Sequence, residues 1–286
     1  VNGLRRDALE ELLALRQAPV PLSCTDVHVQ TAAPRPAQTQ GLAARFERVD
    51  QIPETLPDRV RQVWVPLEQW RQVPESLREK TWLEIPRVLF GPAEARTQDE
   101  IRASAQQGFG GYVAQNIAHF RLAQGLPVTG GFGLNVTNFL SADAYEELGA
   151  RALTLSPELT CEDLARAGGS LPRLAIAYGH MPLMLTRACP LHNVHTCAGC
   201  SRQGELVDRK GVHFPVRCTG PAGARTVYNP VPIYMGDKPG ALPVEWELLY
   251  FTGESADRVQ QVLELFCAHA PFDGAFTRGL YFKGTQ

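Results

Sequence analysis

The 286-residue chain lacks the features that most readily assign a protein to a functional class. It has no apolar run long enough for a membrane-spanning helix. It has no P-loop, and the segment GGFGLN at Gly130 lacks the G-x-G-x-x-G spacing of a dinucleotide site. It also lacks H-E-x-x-H and G-x-S-x-G, the signatures of common zinc peptidases and α/β-hydrolases. The sequence therefore names no cofactor or nucleophile through these motifs.

A strong charge of one sign is also missing, since Lys and Arg number 28 and Asp and Glu 30. A net charge of −2 argues against polyanion binding by the whole molecule. The segment 187–225 differs, with six basic residues against two acidic ones. The basic residues are Arg187, Arg202, Arg209, Lys210, Arg217 and Arg225. They fit either a solvated loop or a surface that faces phosphates.

Seven cysteines, an odd number with metal-like spacing, favour a reducing cytoplasm over a disulfide framework. The opening VNGLRRDALEEL is typical of a charged amphipathic helix rather than a signal peptide. Because the first residue is Val, we expect a processed product or the later part of a longer protein.

Four of the cysteines lie in one stretch that is also rich in Gly, Arg, Lys and His. Cys197 and Cys200 form a C-x-x-C pair, and Cys189 and Cys218 flank it. Four thiolates at these spacings suit tetrahedral zinc or an iron–sulfur cluster. A structural metal knot and cysteines that merely fill a core are the alternatives. Three histidines in the same stretch are alternative ligands: His192, His195 and His213.

Short apolar runs alternate with helical patterns, which predicts parallel strands and an α/β fold. The predicted strands are Asp26–Ala32, Ala43–Arg48, Val60–Val65, Trp82–Leu89, Gly111–Asn116, Val128–Asn135, Ala152–Leu155 and Leu174–Tyr178. Eight strands favour a TIM-barrel-like (β/α) barrel, complete or incomplete, over an open doubly wound sheet. Helices are predicted to start at a Thr97–Glu100 capping box, at Ser141, at a Thr160–Asp163 box and at Ser255.

Three segments follow from this pattern. We expect a barrel-like domain over residues 1–183 and a cysteine-rich metal-binding segment over 184–235. Two further strands are predicted, at Arg225–Met235 and Glu245–Phe251. The second would belong to a C-terminal strand–helix extension, 236–286, packed on the barrel.

Several motifs together resemble peptidase family U32, the collagenase-like peptidases, and in particular the C-terminal half of its long members. They are YGHMPLMLTRACP (178–190), the C-x-x-C pair, LVDRKGVHFPVRC (206–218), RTVYNPVPIYM (225–235), LNVTN (134–138), LTLSPELT (153–160) and FTRGLYFKG (276–284). The resemblance covers nearly the whole chain. It departs from the family signature at Pro182, where the first signature cysteine would fall.

The resemblance implies a TIM-barrel-like fold and a cysteine-bound iron–sulfur cluster, here 4Fe-4S, with structural zinc as the alternative. Family members are labelled peptidases, and others are implicated in oxygen-independent hydroxylation of transfer RNA, ribosomal RNA or ubiquinone precursors. The long members' N-terminal barrel is absent here. It is therefore an expected partner, as part of the same enzyme or as a separate subunit. RNA is the other expected partner, and no membrane is expected.

Functional groups of a barrel collect at the C-terminal ends of its strands. Glu158 and His180 are the candidate proton-transfer residues there. Asn116 and Asn138 could read a base edge or a peptide, and Arg187 and Arg209 are candidate phosphate contacts. Capping, turn formation and solvation are the alternatives for these side chains. The function expected is part of an iron–sulfur-dependent RNA hydroxylation enzyme. A collagenase-like peptidase and a non-catalytic, metal-stapled RNA-binding or subunit-docking domain are the alternatives.

Overall fold

The computed structural model describes residues 2–20, 33–191, 200–219 and 224–284. The chain forms two compact units, Val1–Thr31 and Ala32–Gln286. The first contains helix α1, Asn2–Gln17, whose residues are all exposed. Within the described ranges, no helix is long and apolar enough to cross a membrane. The strand predicted over 26–32 lies outside the described residues.

The second unit contains all the strands of the described residues. They are β1 (Gly41–Arg45), β2 (Val60–Pro66), β3 (Thr81–Glu84), β4 (Gly111–Ala114), β5 (Val128–Gly130), β6 (Ala150–Thr154), β7 (Arg173–Gly179), β8 (Pro182–Thr186), β9 (Gln203–Val207), β10 (His213–Thr219), β11 (Ala224–Tyr228), β12 (Ile233–Tyr234) and β13 (Trp246–Tyr250). Its helices are α2 (Glu75–Arg78), α3 (Ala93–Ser104), α4 (Ala118–Leu122), α5 (Phe139–Glu147), α6 (Cys161–Ala167) and α7 (Ala256–Ala268). Short 3-10 helices occur at Val49–Gln51, Leu67–Gln72 and Phe132–Leu134.

Eight parallel strands close into a barrel, which confirms the predicted TIM-like α/β fold. β1 to β7 pair in chain order, and β13 pairs with both β7 and β1. Small and large apolar side chains fill the interior, among them Ala43, Trp64, Val113, Ile176 and Leu248. A larger apolar core fills the space between the strands and the outer helices.

The eighth strand is not the one we expected. We placed Glu245–Phe251 in a C-terminal extension, whereas the structure places β13 in the barrel, parallel to β1 and β7. The barrel is therefore complete, and its last strand follows a long insertion. The physical reason is burial: Leu248, Leu249 and Phe251 are fully buried, which a strand on the surface could not achieve.

The insertion between β7 and β13 is a four-stranded antiparallel sheet, in the order β8-β11-β10-β9. β12 pairs with β7 in the antiparallel direction and leads the chain back to the barrel. This sheet contains most of the segment that we predicted to bind a metal.

Two predicted helix starts need correction, and two are confirmed. Helix α3 begins at Ala93, after Pro92, so Thr97 is a buried interior residue rather than a cap. The cap of α5 is Asn138, whose side chain accepts from the Ser141 amide, so Ser141 is not the cap. The Thr160–Asp163 capping box and the Ser255 cap occur as predicted.

Candidate active site at the mouth of the barrel

A cleft of about 90 Å³ lies at the C-terminal ends of β1, β2, β3, β4 and β13. Side chains of the barrel strands and the loops that follow them form one side, and these include Arg45, Glu84, Gln115 and Tyr250. The inserted sheet forms the other side. Its lining residues are Pro182, Leu185, Ala224, Thr226 and Tyr228. The insertion therefore covers the face where TIM barrels place their active sites.

Three buried polar side chains form a hydrogen-bonded network within this cleft. The Arg45 Nε donates to Glu84 Oε2 at 2.8 Å, and the Gln115 Nε2 donates to Glu84 Oε1 at 2.6 Å. The amide of Gly133 donates to Gln115 Oε1 at 2.9 Å, which fixes the orientation of that side-chain amide. Each member of the network is at most 7% exposed. Such burial is tolerated because every charge here has a partner.

Arg45 connects this network to a second carboxylate. Its Nη1 donates to Glu47 Oε2 at 2.5 Å and to the carbonyl of Phe251 at 3.0 Å. Its guanidinium lies 4.5 Å from the centre of the Tyr250 ring. Burial alone would lower the pKa of Arg45, but Glu47 and Glu84 outweigh it and raise that pKa well above its usual value. Arg45 is therefore a permanent positive charge beneath the cleft.

Two glycines after β5 make room for Gln115. A Cβ at Gly131 would overlap the Gln115 side-chain amide, and a Cβ at Gly133 would lie within 2.8 Å of Gln115 Oε1. The glycine-rich segment GGFGLN therefore has a packing role at the site, although it is no nucleotide fingerprint. We had extended strand β5 through this segment, but it turns at Phe132–Leu134 and ends with Asn135 in the left-handed region.

Three carboxylates share the cleft: Glu47, Glu68 and Glu84. The side chain of Glu47 retains 16% exposure, whereas Glu68 lies at the exposed rim. Partial burial, together with the nearby Glu47 and Glu84, raises the pKa of Glu68. A carboxylate with solvent access can take up a proton, and a neighbour with a raised pKa can donate one. The arrangement is thus suited to proton transfer.

His180 is the predicted proton-transfer residue that the structure places in a cavity. Its Nδ1 lies 2.7 Å from the carbonyl of Asn229, and it lines a second cavity beside the cleft. Glu158, the other one, is exposed and lines neither cavity. The structure therefore does not bring these two side chains into one cavity.

The predicted substrate contacts lie on exposed surfaces. The Asn116 side chain accepts from the amide of Ala118, and the Asn138 side chain caps helix α5. The guanidinium of Arg187 lies 5.1 Å from the centre of the Phe90 ring, and Arg209 is exposed in the turn between β9 and β10. None of these four side chains lines either cavity. Their role in binding stays a prediction.

Three of the four predicted metal ligands lie at the same end of the inserted sheet. Cys189 follows β8, Cys200 precedes β9, and Cys218 is on β10, where its amide bonds the carbonyl of Arg202. Cys197, like His192 and His195, lies outside the described residues. Among the residues that the structure describes, no three His, Cys, Asp or Glu side chains are close enough to hold a metal ion. The thiolate donors suit the predicted group, but the structure does not assemble the ligand set.

Sequence reasoning missed Arg45, Glu47 and Glu84 as site residues. Arg45 and Glu84 are the last residues of β1 and β3, and each is a charged residue at the end of an apolar run. That position is the signal that could have identified them, because charged groups are seldom buried without a reason. The predicted strands extend to Arg48 and Leu89, beyond the observed ends of β1 and β3. Arg45 and Glu84 therefore did not stand out as strand-end residues.

Comparisons with known proteins give one distant likeness. No known family matches the sequence, and no curated protein matches it. Among solved structures, the chain is similar to the U32 peptidase Mk0906, with 12% identity and a TM-score of 0.43. The match covers 82% of this chain and 100% of that one.

Proposed function

We propose that this chain is the cleft-bearing part of an enzyme that hydroxylates RNA. The observation that carries the proposal is that the inserted sheet forms one side of the barrel cleft. The sheet brings Cys189, Cys200 and Cys218 to the end where Leu185 and Ala224 line that cleft. The basic residues of the same segment suit an RNA substrate.

The chain's own residues have distinct roles in this proposal. Cys189, Cys197, Cys200 and Cys218 would hold the iron–sulfur cluster, which supplies electron transfer when bound. Arg45 stabilises negative charge in the cleft, and Glu84 and Gln115 hold Arg45 in place. Glu47 is the proposed proton acceptor, because its carboxylate retains access to solvent.

The RNA itself would contact the outer surface of the insertion. Arg187 and Arg209 are exposed on this segment and are the proposed phosphate contacts. Their removal should weaken RNA binding without changing the chemistry in the cleft.

A second candidate function, peptide hydrolysis, is favoured by the cluster of Glu47, Glu68 and Glu84. A carboxylic acid with a raised pKa, here Glu68, and a neighbouring carboxylate can act as a general acid and a general base on one water molecule. In that case the cysteines would serve only to stabilise the insertion, and zinc would be the expected metal.

Purification without oxygen, followed by metal and acid-labile sulfide analysis, separates the two candidates. Hydroxylation predicts brown protein with iron and sulfide in near-equal amounts. The Cys197→Ser/Cys200→Ser double variant should lose both, whereas Cys267→Ser on α7 should retain them. The matching RNA assay is mass spectrometry of RNA from cells with wild-type protein or Glu47→Gln. Colourless zinc protein that cleaves peptides, with Glu47→Gln inactive, would overturn hydroxylation in favour of hydrolysis.

A further inference from the structure

A second cavity, of about 260 Å³, adjoins the cleft. Tyr228 lines both, so one extended ligand could occupy the two together. The cavity lies between the barrel end and strand β10 of the insertion. Its other lining residues are His180, Pro215, Arg217, Thr252, Gly253 and Glu254. Neither the sequence motifs nor the proposed chemistry assigns it a ligand.

Arg217 brings a positive charge to this cavity. Its Nη1 donates to Gln203 Oε1 at 3.3 Å, and within the described ranges it forms no ion pair. Glu254, the one carboxylate in the lining, accepts instead from the Tyr178 hydroxyl at 3.0 Å and the Thr252 amide at 2.6 Å. The guanidinium packs on Gly253, where any side chain would collide with it. The cation is thus held in position and left available to an anionic ligand.

His180 contributes a hydrogen-bond acceptor. The Asn229 carbonyl beside its Nδ1 can only accept, so Nδ1 carries the proton. In the tautomer with the proton on Nδ1, Nε2 is an acceptor, and it has no partner among the described residues. An acceptor and a fixed cation in one cavity match a ligand that carries a hydroxyl and an anion on adjacent groups.

We propose that this cavity binds one ribose-phosphate unit of RNA. Arg217 binds the phosphate, and the 2′-hydroxyl donates to His180 Nε2. The 2′-hydroxyl is the group that distinguishes RNA from DNA, so this contact would select RNA. The choice of RNA rests on the proposed function. The adjacent nucleotide would then reach the cleft past Tyr228.

The test is equilibrium binding of a fluorescent single-stranded RNA and of DNA with the same sequence. Arg217→Gln should weaken binding of both by about 10-fold or more, because it removes a charge-assisted hydrogen bond. Arg217→Lys should restore part of that loss. His180→Phe should weaken RNA binding and leave DNA binding unchanged, so that the preference for RNA disappears. Arg121→Gln, which removes an exposed charge on α4, is the matched control and should change neither affinity.

A second measurement does not depend on the His180 variant folding correctly. RNAs with one 2′-deoxy position each should include one that binds wild-type protein as weakly as DNA of the same sequence does. Equal affinity of wild-type protein for RNA and DNA would overturn the proposal, as would wild-type affinity in Arg217→Gln. If RNA is hydroxylated while these variants bind normally, the proposed ribose-phosphate site is wrong and the proposed function stands. If the binding pattern appears without hydroxylation, the ribose-phosphate site stands and the proposed function fails.

Discussion

Gly131 controls the polar network without belonging to it. Its missing side chain leaves room for Gln115, which in turn holds Glu84 against Arg45. We predict that Gly131→Ala displaces the Gln115 amide and lowers the free energy of unfolding by about 1–3 kcal/mol, a typical overpacking cost. Activity in the cleft should fall more steeply, because Arg45 loses its fixed position. Chemical denaturation and the RNA assay measure the two effects.

The matched control is Gly274→Ala. A Cβ there would meet only the ring of Phe272, at 3.6 Å, which is ordinary contact. Its stability and activity should equal those of the wild type. If Gly131→Ala behaves like this control, the glycine does not position Gln115.

His119 makes the stability of the barrel sensitive to acid. Its Nδ1 accepts from the backbone N–H of Gln115 at 3.0 Å, and burial lowers the pKa of His119 from 6.5 to about 4. Above pH 6.5 the ring is neutral in both the folded and the unfolded state, so it adds no pH dependence. As the pH falls from 6.5 to 4, only the unfolded state gains the proton. The native state should therefore lose about 3 kcal/mol of stability over that interval.

His119→Asn tests this pH dependence, because Asn keeps an acceptor near the Nδ1 position but does not titrate. Urea unfolding at pH 7 and pH 4.5 should show a smaller loss of stability in the variant than in the wild type. The same loss in both proteins would assign the acid sensitivity to other groups.

At the scale of elements, the sequence predicted where barrel strands begin better than where they end. Predicted strands Trp82–Leu89 and Val128–Asn135 end in the structure at Glu84 and Gly130. In both cases the sequence stays largely apolar after the last residue that pairs in the sheet. The loops that follow are packed into the wall of the cleft or into the core. A hydrophobic pattern reports burial and cannot by itself distinguish a buried loop from a strand.

The opposite end of the barrel is held together by a buried ion pair between β7 and the residue before β13. The Arg173 side chain is 1% exposed, and its Nη2 lies 3.1 Å from Glu245 Oε1. It also donates to the carbonyls of Leu164 and Ala165 on helix α6. Burial would raise the pKa of Glu245, but the hydrogen bonds and charge of Arg173 outweigh it and lower that pKa.

We predict that Glu245→Gln lowers the free energy of unfolding by about 3 kcal/mol, because it leaves a buried guanidinium without its counter-charge. Glu162→Gln provides the comparison. Its partner Arg166 is exposed one turn away on α6, and the loss should be about 0.5 kcal/mol or less. Similar losses in the two variants, measured by urea unfolding, would mean that the buried pair contributes no more than a surface pair.

At the scale of the whole molecule, the sequence predicted the class of barrel but not how it closes. Eight strands were counted, yet the closing strand is β13, whose partner β1 lies about 200 residues away in the chain. Periodicity is a local property and carries no information on such pairing. The same limit applies to the site. Arg45, Glu84 and Tyr250 lie on different strands, and only the closure of the barrel brings them together in the cleft.

Closure by β13 leads to a prediction for the complete chain. Truncation after Pro239 removes β13 and α7 and leaves β1 and β7 with unpaired edges. We expect no cooperative thermal transition, because the apolar barrel interior would be open to water. A milder variant, Leu248→Ala, should fold but lose about 2–5 kcal/mol, since Leu248 is fully buried. Val207→Ala, at an exposed position on β9, should change stability by about 0.5 kcal/mol or less. A wild-type melting curve for the truncated chain would instead mean that residues 236–286 are a separate extension.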